Sequence, residues 1–226
     1  VGHRVVLFDI DGTLLTYSGE PPGPGRTALD RAMSELYAVE RATEGLRVAG
    51  ATDRGLARAL LARVRAPCDD AAIDDVIASY LKHLARVLEH RTYRVIGDVV
   101  GAVAGLSAER CVVGLATGNV RAGAAIKLES AKIAHAFDLA RGGYGCDAEA
   151  RSDILRRAVE RCTVDAASEV VVVGDTDRDV HAARAIGARV VGVATNDSGR
   201  HELEAAGVDA IVDGCGPALV RAVLAA

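Results

Sequence analysis

The chain has no Trp, two Phe and five Tyr among its 226 residues. Its apolar half is instead Ala, Val and Leu, a composition suited to close-packed helices against a buried parallel sheet. It lacks any run of the ~20 apolar residues that a membrane-spanning helix needs. It also lacks a charge excess. Lys and Arg number 27 against 31 Asp and Glu, a net charge of -4, and the two signs are interspersed. That balance gives no basis for a nucleic-acid or membrane-surface partner. Five cysteines, Cys68, Cys111, Cys146, Cys162 and Cys215, form no CxxC pair and are odd in number. Reduced thiols and a cytoplasmic location are the expectation, with Cys111 in the core. No secretory leader is expected, because Val1 to Leu7 is too short for its apolar region and acids follow. The histidines 3, 83, 90, 135, 181 and 201 show no metal-ligand spacing and are expected mostly at the surface.

What is present is a regular alternation. The length suits one large domain or a domain carrying an insert. Val5-Val6-Leu7-Phe8 reads as a buried strand, and Gly12 closes a turn after it. Residues 16–26 are rich in Gly and Pro and read as a linker. Three helical patterns follow. The first carries Leu29, Ala32, Met33, Leu36 and Tyr37. The second starts near Thr52 or Asp53, with Leu56, Leu60 and Val64 on one face. The third starts at Asp69 or Asp70 and carries the stripe Ile73, Val76, Ile77, Tyr80, Leu81, Leu84, Val87 and Leu88. These stripes read as helix-packing core, and no strand is expected between 27 and 94.

From about residue 95 strands and helices alternate. A helix with Val99, Val100, Val103 and Leu106 leads to a strand over Cys111–Ala116, then a helix over about 120–134. A short strand with a Gly-rich loop is expected within 136–146, and a helix near 152–162. The strand Val170–Gly174 is followed by helix 178–186, strand Arg189–Ala194, helix 200–206, strand Asp209–Val212 and a last helix from Pro217. The expected fold is therefore α/β: a Rossmann-like parallel sheet covered on both faces, built from 1–15 and 95–226, with a helical insert over 16–94.

In open parallel sheets ligands bind at the carboxyl ends of the strands. The first strand ends in Asp9-Ile10-Asp11-Gly12-Thr13. The strand near 116 ends in Thr117-Gly118-Asn119. The strand near 174 ends in Gly174-Asp175, with Asp177 and Asp179 just beyond. Three distant segments thus bring carboxylates and a hydroxyl to one sheet edge. Clustered carboxylates need a counter-charge, and Mg²⁺ with a substrate phosphate supplies one. Asp9 and Asp11 can both face the site if the turn at Gly12 breaks strand geometry. One carboxylate can then attack phosphorus while the other handles protons. Thr117 offers a hydroxyl and a backbone N–H to a phosphate oxygen. Taken singly, Asp177 reads as a turn former or helix cap and Asp179 as a first-turn acid.

Asp9-Ile10-Asp11-Gly12-Thr13-Leu14, Thr117-Gly118-Asn119 and Gly174-Asp175-Thr176-Asp177-Arg178-Asp179 resemble the first, second and fourth motifs of the haloacid dehalogenase-like phosphatase superfamily. The likeness spans the chain, with the helical insert where that superfamily carries a helical cap. Phosphoglycolate phosphatase-like members are the nearest resemblance. It implies a Mg²⁺-dependent hydrolase of small phosphorylated metabolites. Asp9 would be the phosphorylated nucleophile, and Asp11 the acid for the leaving alcohol and then the base for water. Mg²⁺ would sit on Asp9, the Asp11 backbone carbonyl and Asp175, with Asp179 holding its waters or positioning the site. Thr117 and N–H groups near Gly12, Gly118 and Asn119 would bind the phosphoryl oxygens.

The superfamily also supplies a basic residue, usually Lys, to pair with nucleophile and phosphate. Lys127 lies well along the helix leaving the site, so at 1.5 Å per residue it is expected roughly 10 Å or more away. Arg151 opens a helix that runs back toward the site, and its guanidinium can grip phosphate bidentately. Arg151 is therefore preferred, with Lys127 its rival. Thr52 and Asp53 are the candidates for a substrate-selecting segment of the insert, although a helix cap explains both.

Other readings share parts of this pattern. A dehalogenase needs no second Asp, whereas a phosphomutase keeps both. A phosphonoacetaldehyde hydrolase needs a Schiff-base Lys in the insert, where only Lys82 stands. A response-regulator receiver has its phosphoacceptor after a later strand and no helical insert. A non-catalytic binding protein would be expected to lose Asp9, Asp11 or Asp175.

Overall fold

The computed structural model describes residues 4–162 and 169–225; His3 lies outside them. Six parallel strands form one sheet: β1 (Arg4–Phe8), β4 (Val112–Ala116), β5 (Gly142–Gly143), β6 (Glu169–Gly174), β7 (Arg189–Val193) and β8 (Ala210–Val212). Their spatial order is β5-β4-β1-β6-β7-β8. The chain therefore moves outward from β1 on one side and returns to build on the other. This reversal puts a crevice at the carboxyl end of β1, where the first carboxylates emerge.

Alternation along β1 divides the core into two layers. Val6 and Phe8 face one cluster with Leu106 of α4 (Val99–Ala108), Leu128 of α5 (Arg121–Ser130) and Leu219 of α9 (Pro217–Leu224). Val5 and Leu7 face the other, with Leu155 of α6 (Arg151–Cys162), Val180 of α7 (Asp177–Arg184) and Leu203 of α8 (Asp197–Ala206). The period of two sends successive side chains to opposite faces. Both faces are thereby covered, as the near-continuous apolar strands require.

The insert packs differently. Leu29 and Met33 of α1 (Pro24–Tyr37), Leu60 and Leu61 of α2 (Asp53–Arg63), and Ile73, Val76, Tyr80 and Leu84 of α3 (Asp70–Leu88) form a cluster of their own. The caps are those that the sequence signals. The Thr52 hydroxyl accepts from the Gly55 N–H at the start of α2, and Asp69 accepts from Ala72 N–H at the start of α3. Such caps contribute about 1 kcal/mol each.

Several expectations need correction. Leu15–Thr16 (β2) and Arg94–Val95 (β3) form a short antiparallel pair where the chain leaves the sheet domain and comes back. Residue 16 is thus strand rather than linker, and strand structure reaches back to Arg94. Two-residue strands carry no periodicity to read. Leu36 and Val100, expected on buried faces, are exposed (41% and 39%). The helix expected over 120–134 ends at Ser130 and gives way to a 3-10 turn over Ala134–Ala136.

Candidate active site

Asp9 follows β1 and is held there by its N–H, which donates to Val173 O at 2.9 Å. Three residues on, Gly12 turns the chain with φ +85°. A Cβ at Gly12 would lie 1.9 Å from Asp175 Oδ2, so only glycine lets the two strand ends approach. The neighbouring Thr13 hydroxyl donates to Asp175 Oδ1 at 3.2 Å. Asp9, Asp11, Thr117, Gly118, Asn119, Lys127, Arg151 and Asp175 all line one cavity of about 370 Å³ between the sheet edge and the helical insert.

Asp9 and Asp11 sit in opposite settings. Asp9 is buried, and its Oδ2 lies 2.8 Å from Arg151 Nη2. Burial raises its pKa above the usual carboxylate range, Arg151 opposes this, and Asp179 and Asp11 add to the rise. The Asp11 carboxylate, 45% exposed, turns the other way. It accepts from Lys127 Nζ at 2.6 Å and Asn119 Nδ2 at 2.8 Å. Burial would raise its pKa too, but Lys127 and the two hydrogen bonds win and hold it below the usual range.

Both candidate bases therefore reach the site and divide the carboxylates between them. The expectation that Lys127 lies too far away is wrong. It sits two turns along α5, but Cα–Cβ bonds tilt toward a helix's N-terminus and the long side chain runs back along the axis. Lys127 Nζ also donates to Asn119 Oδ1 at 2.7 Å. Burial would lower its pKa, but Asp11 outweighs that and keeps it protonated.

The loop after β4 is tied from both sides. Thr117 Oγ1 accepts from Asn119 Nδ2 at 2.8 Å. The Thr117 N–H, expected to be free for phosphate, donates to Gly143 O at 3.1 Å, and the Gly12 N–H donates to Leu15 O at 2.8 Å. Sheet and turn pairing therefore consume both. From the insert, the Asp53 N–H donates to Gly118 O, and the Asp53 carboxylate accepts from the Val120 N–H, both at 2.8 Å. Asp53 is buried, which pushes its pKa up to about 6 against the pull of Lys127 and Val120. Gly118 permits this contact, since a Cβ there would lie 2.3 Å from Ala51 O.

The side chains of Asp9, Asp175 and Asp179 each bring a carboxylate oxygen within 4.8 Å of the others. Burial, then repulsion from Asp179 and Asp9, raise the pKa of Asp175. That is the electrostatic signature of carboxylates short of positive charge, and a divalent cation fits them. Asp179 is the least available of the three. Its Oδ1 takes Arg151 Nε and Nη2, and its Oδ2 takes the Thr176 N–H and hydroxyl in a capping box at α7.

The remaining candidates fall outside this cluster. Asp177 pairs with Arg47 at 3.2 Å across the rim. Thr52 serves as a cap, as above. Lys82 pairs with Glu35 at 2.8 Å on the surface, which leaves no Schiff-base lysine in the insert. Tyr93 and Arg26 line the cavity but carry no sequence signal, and Tyr80 reads in sequence only as part of a packing stripe. The five cysteines are free thiols, and no described helix is long and apolar enough to cross a membrane.

A family model described as haloacid dehalogenase-like hydrolase matches residues 3–187. No match was found among curated proteins. Among solved structures, a hydrolase from Pseudomonas syringae is similar at 20% identity and TM-score 0.68, covering 94% of each chain. CbbY from Rhodobacter sphaeroides, in complex with phosphate, is similar at 18% identity and TM-score 0.70, covering 95% of this chain and 96% of its own. A predicted phosphatase from Clostridium acetobutylicum is similar at 19% identity and TM-score 0.69, covering 100% of both.

Proposed function

The chain belongs to the haloacid dehalogenase-like hydrolases, and from that premise we propose that it hydrolyses small phosphate monoesters through a phosphorylated Asp9, with Mg²⁺ as cofactor. The observation that carries the reading is the division of the two carboxylates. Asp9 is desolvated and aimed by one guanidinium, while Asp11, two residues on, is held by an ammonium and an amide. Paired acids in contrasting environments are the arrangement that splits nucleophile from proton carrier.

In this reading Asp9 Oδ attacks phosphorus and the ester P–O bond breaks. The leaving oxygen takes a proton from Asp11. Asp11 then removes a proton from the water that attacks the Asp9 acyl phosphate, releasing phosphate and restoring Asp9. Asp11 is ionised in the free protein. A doubly negative phosphoryl group beside it raises its pKa and loads it with the proton it must give. Lys127 keeps Asp11 oriented. The Thr117 hydroxyl and Gly118 N–H bind phosphoryl oxygens, while Arg151 and Lys127 offset charge that spreads over them. Asp9, the Asp11 carbonyl and Asp175 would hold Mg²⁺, which when bound neutralises phosphoryl charge. Asp179 positions Arg151 and the cation's water. The segment within 16–94 serves as a cap over the leaving group, closing on the loop after β4 through Asp53.

The test is phosphate release from a panel of small phosphomonoesters, with Mg²⁺ and with EDTA. Metal-dependent release supports the reading. No release from any member by folded protein, with transfer of phosphate between positions of a sugar phosphate instead, would replace it with a mutase.

A further inference from the structure

The cavity wall that faces the leaving group is apolar. Pro24, Leu29, Val48, Leu56, Tyr80 and Tyr93 contribute to it. The charged groups beside it are already engaged. The Arg26 guanidinium donates to the carbonyls of Thr43 and Leu46. Asp53 holds Gly118 and Val120, and Lys127 holds Asp11 and Asn119. The Tyr93 ring lies under Lys127 Nζ, 5.7 Å from its centroid, and edge-on to Tyr17.

Tyr80 differs from these charged groups. It is 1% exposed and lines the cavity, yet its hydroxyl has no hydrogen-bond partner among the described residues. Ser130 Oγ is the only fully buried side-chain polar atom without a partner among the described residues, so the Tyr80 hydroxyl is reached from the cavity, where a bound molecule can pair with it. Burial also raises its pKa well above that of an ordinary tyrosine, so it stays protonated and able to donate. The volume, about 370 Å³, lies toward the small end of ligand pockets. It holds a phosphoryl group and one ring-sized substituent.

We infer that this wall is a subsite for an uncharged, mainly apolar leaving group carrying one hydrogen-bonding atom, and that the Tyr80 hydroxyl engages that atom. A carboxylate on the leaving group, as in phosphoglycolate, would meet there only Arg26, whose guanidinium is turned to the Thr43 and Leu46 carbonyls, and would otherwise be desolvated at a loss. The inference rests on the phosphatase reading above and narrows its substrate class. Tyr80 acts as a specificity-determining residue, away from the reacting atoms.

The experiment compares kcat/KM for phosphoglycolate, benzyl phosphate and the three isomeric pyridylmethyl phosphates, using wild type and Tyr80→Phe with Mg²⁺. All five release alkoxide-type leaving groups. The pyridyl isomers add one ring nitrogen to the benzyl frame at three positions. Benzyl phosphate is expected to exceed phosphoglycolate by about 10-fold or more, and the best pyridyl isomer to exceed benzyl phosphate. Tyr80→Phe should cost that isomer about 5- to 10-fold, the worth of one hydrogen bond, and change benzyl phosphate by less than about 2-fold. Phosphoglycolate matching or beating the ring esters would overturn the inference and leave the phosphatase reading intact. So would a Tyr80→Phe loss equal on every ester, which marks a structural role only. No release from any of the five, nor from a generic aryl phosphate, would overturn the phosphatase reading and the inference with it.

Discussion

Arg151 Nη2 lies 2.8 Å from Asp9 Oδ2, and the same nitrogen lies 2.6 Å from Asp179 Oδ1. One guanidinium thus compensates two carboxylates, all three side chains being at most 10% exposed. Arg151→Ala would leave two buried carboxylates facing each other. Removing one member of a buried ion pair costs about 3–5 kcal/mol, so the urea midpoint should fall by that equivalent. Turnover should fall about 100-fold or more, because Asp9 loses the group that aims it. Arg151→Lys keeps the charge but replaces a fork with a single point. It should recover part of the stability and less of the rate. Urea unfolding and steady-state kinetics on the two variants separate these contributions.

Asp9→Asn keeps the shape and removes the nucleophile. It is expected to lower kcat on the order of 10³-fold or more while circular dichroism and the unfolding midpoint stay close to wild type. The neutral amide also relieves repulsion with Asp179 and Asp175, so stability should not drop. Activity equal to wild type in a clean preparation would end the assignment of Asp9.

The sheet is legible because its longer buried parallel strands are apolar runs, such as Val170 to Val173, and three of them, β1, β4 and β6, lead directly into site residues. The site was legible to the extent that its residues sit next to strand ends in the chain: Asp9, Asp11, Thr117 and Asp175. Lys127 departs from expectation because helical rise locates only its Cα, while its long side chain runs back along the axis to Asp11. The fate of the Thr117 and Gly12 N–H groups depends on Gly143 and Leu15, which sequence alone does not pair with them. Tyr80 belongs to both the packing stripe and the cavity, and spacing along α3 reveals only the first. The β2–β3 pair is set by chain closure around the insert rather than by local preference.

Metal removal should inactivate the protein reversibly. Exhaustive EDTA dialysis is expected to abolish phosphate release, and added Mg²⁺ to restore it. Independently of activity, Mg²⁺ should raise the melting temperature by mass action on the folded state. Asp175→Asn, which removes the carboxylate least compensated by other groups, should raise the Mg²⁺ concentration needed for half the thermal shift by about 10-fold or more. A shift identical in Asp175→Asn and wild type would place the cation elsewhere.

Asp53 makes a pH-dependent contribution to stability whose sign is fixed by its burial. Its folded pKa is pushed up to about 6 from an ordinary value of 3.8, so the folded state binds the proton more tightly than the unfolded chain does. Above pH ~6 the ionised carboxylate therefore costs stability, on the order of 1–3 kcal/mol. As pH falls from about 6 toward 4 that cost is relieved. Asp53→Asn retains an oxygen that can accept from the Val120 N–H and carries no charge to desolvate. It should be more stable than wild type at pH 7.5, and the difference should shrink to near zero by pH 4. Asp53→Ala loses the acceptor, leaves the Val120 N–H unpaired, and should be less stable than Asp53→Asn at every pH. Thermal melts of the three proteins from pH 4 to 8 decide it. A constant offset between Asp53→Asn and wild type across that range would show that Asp53 does not titrate there.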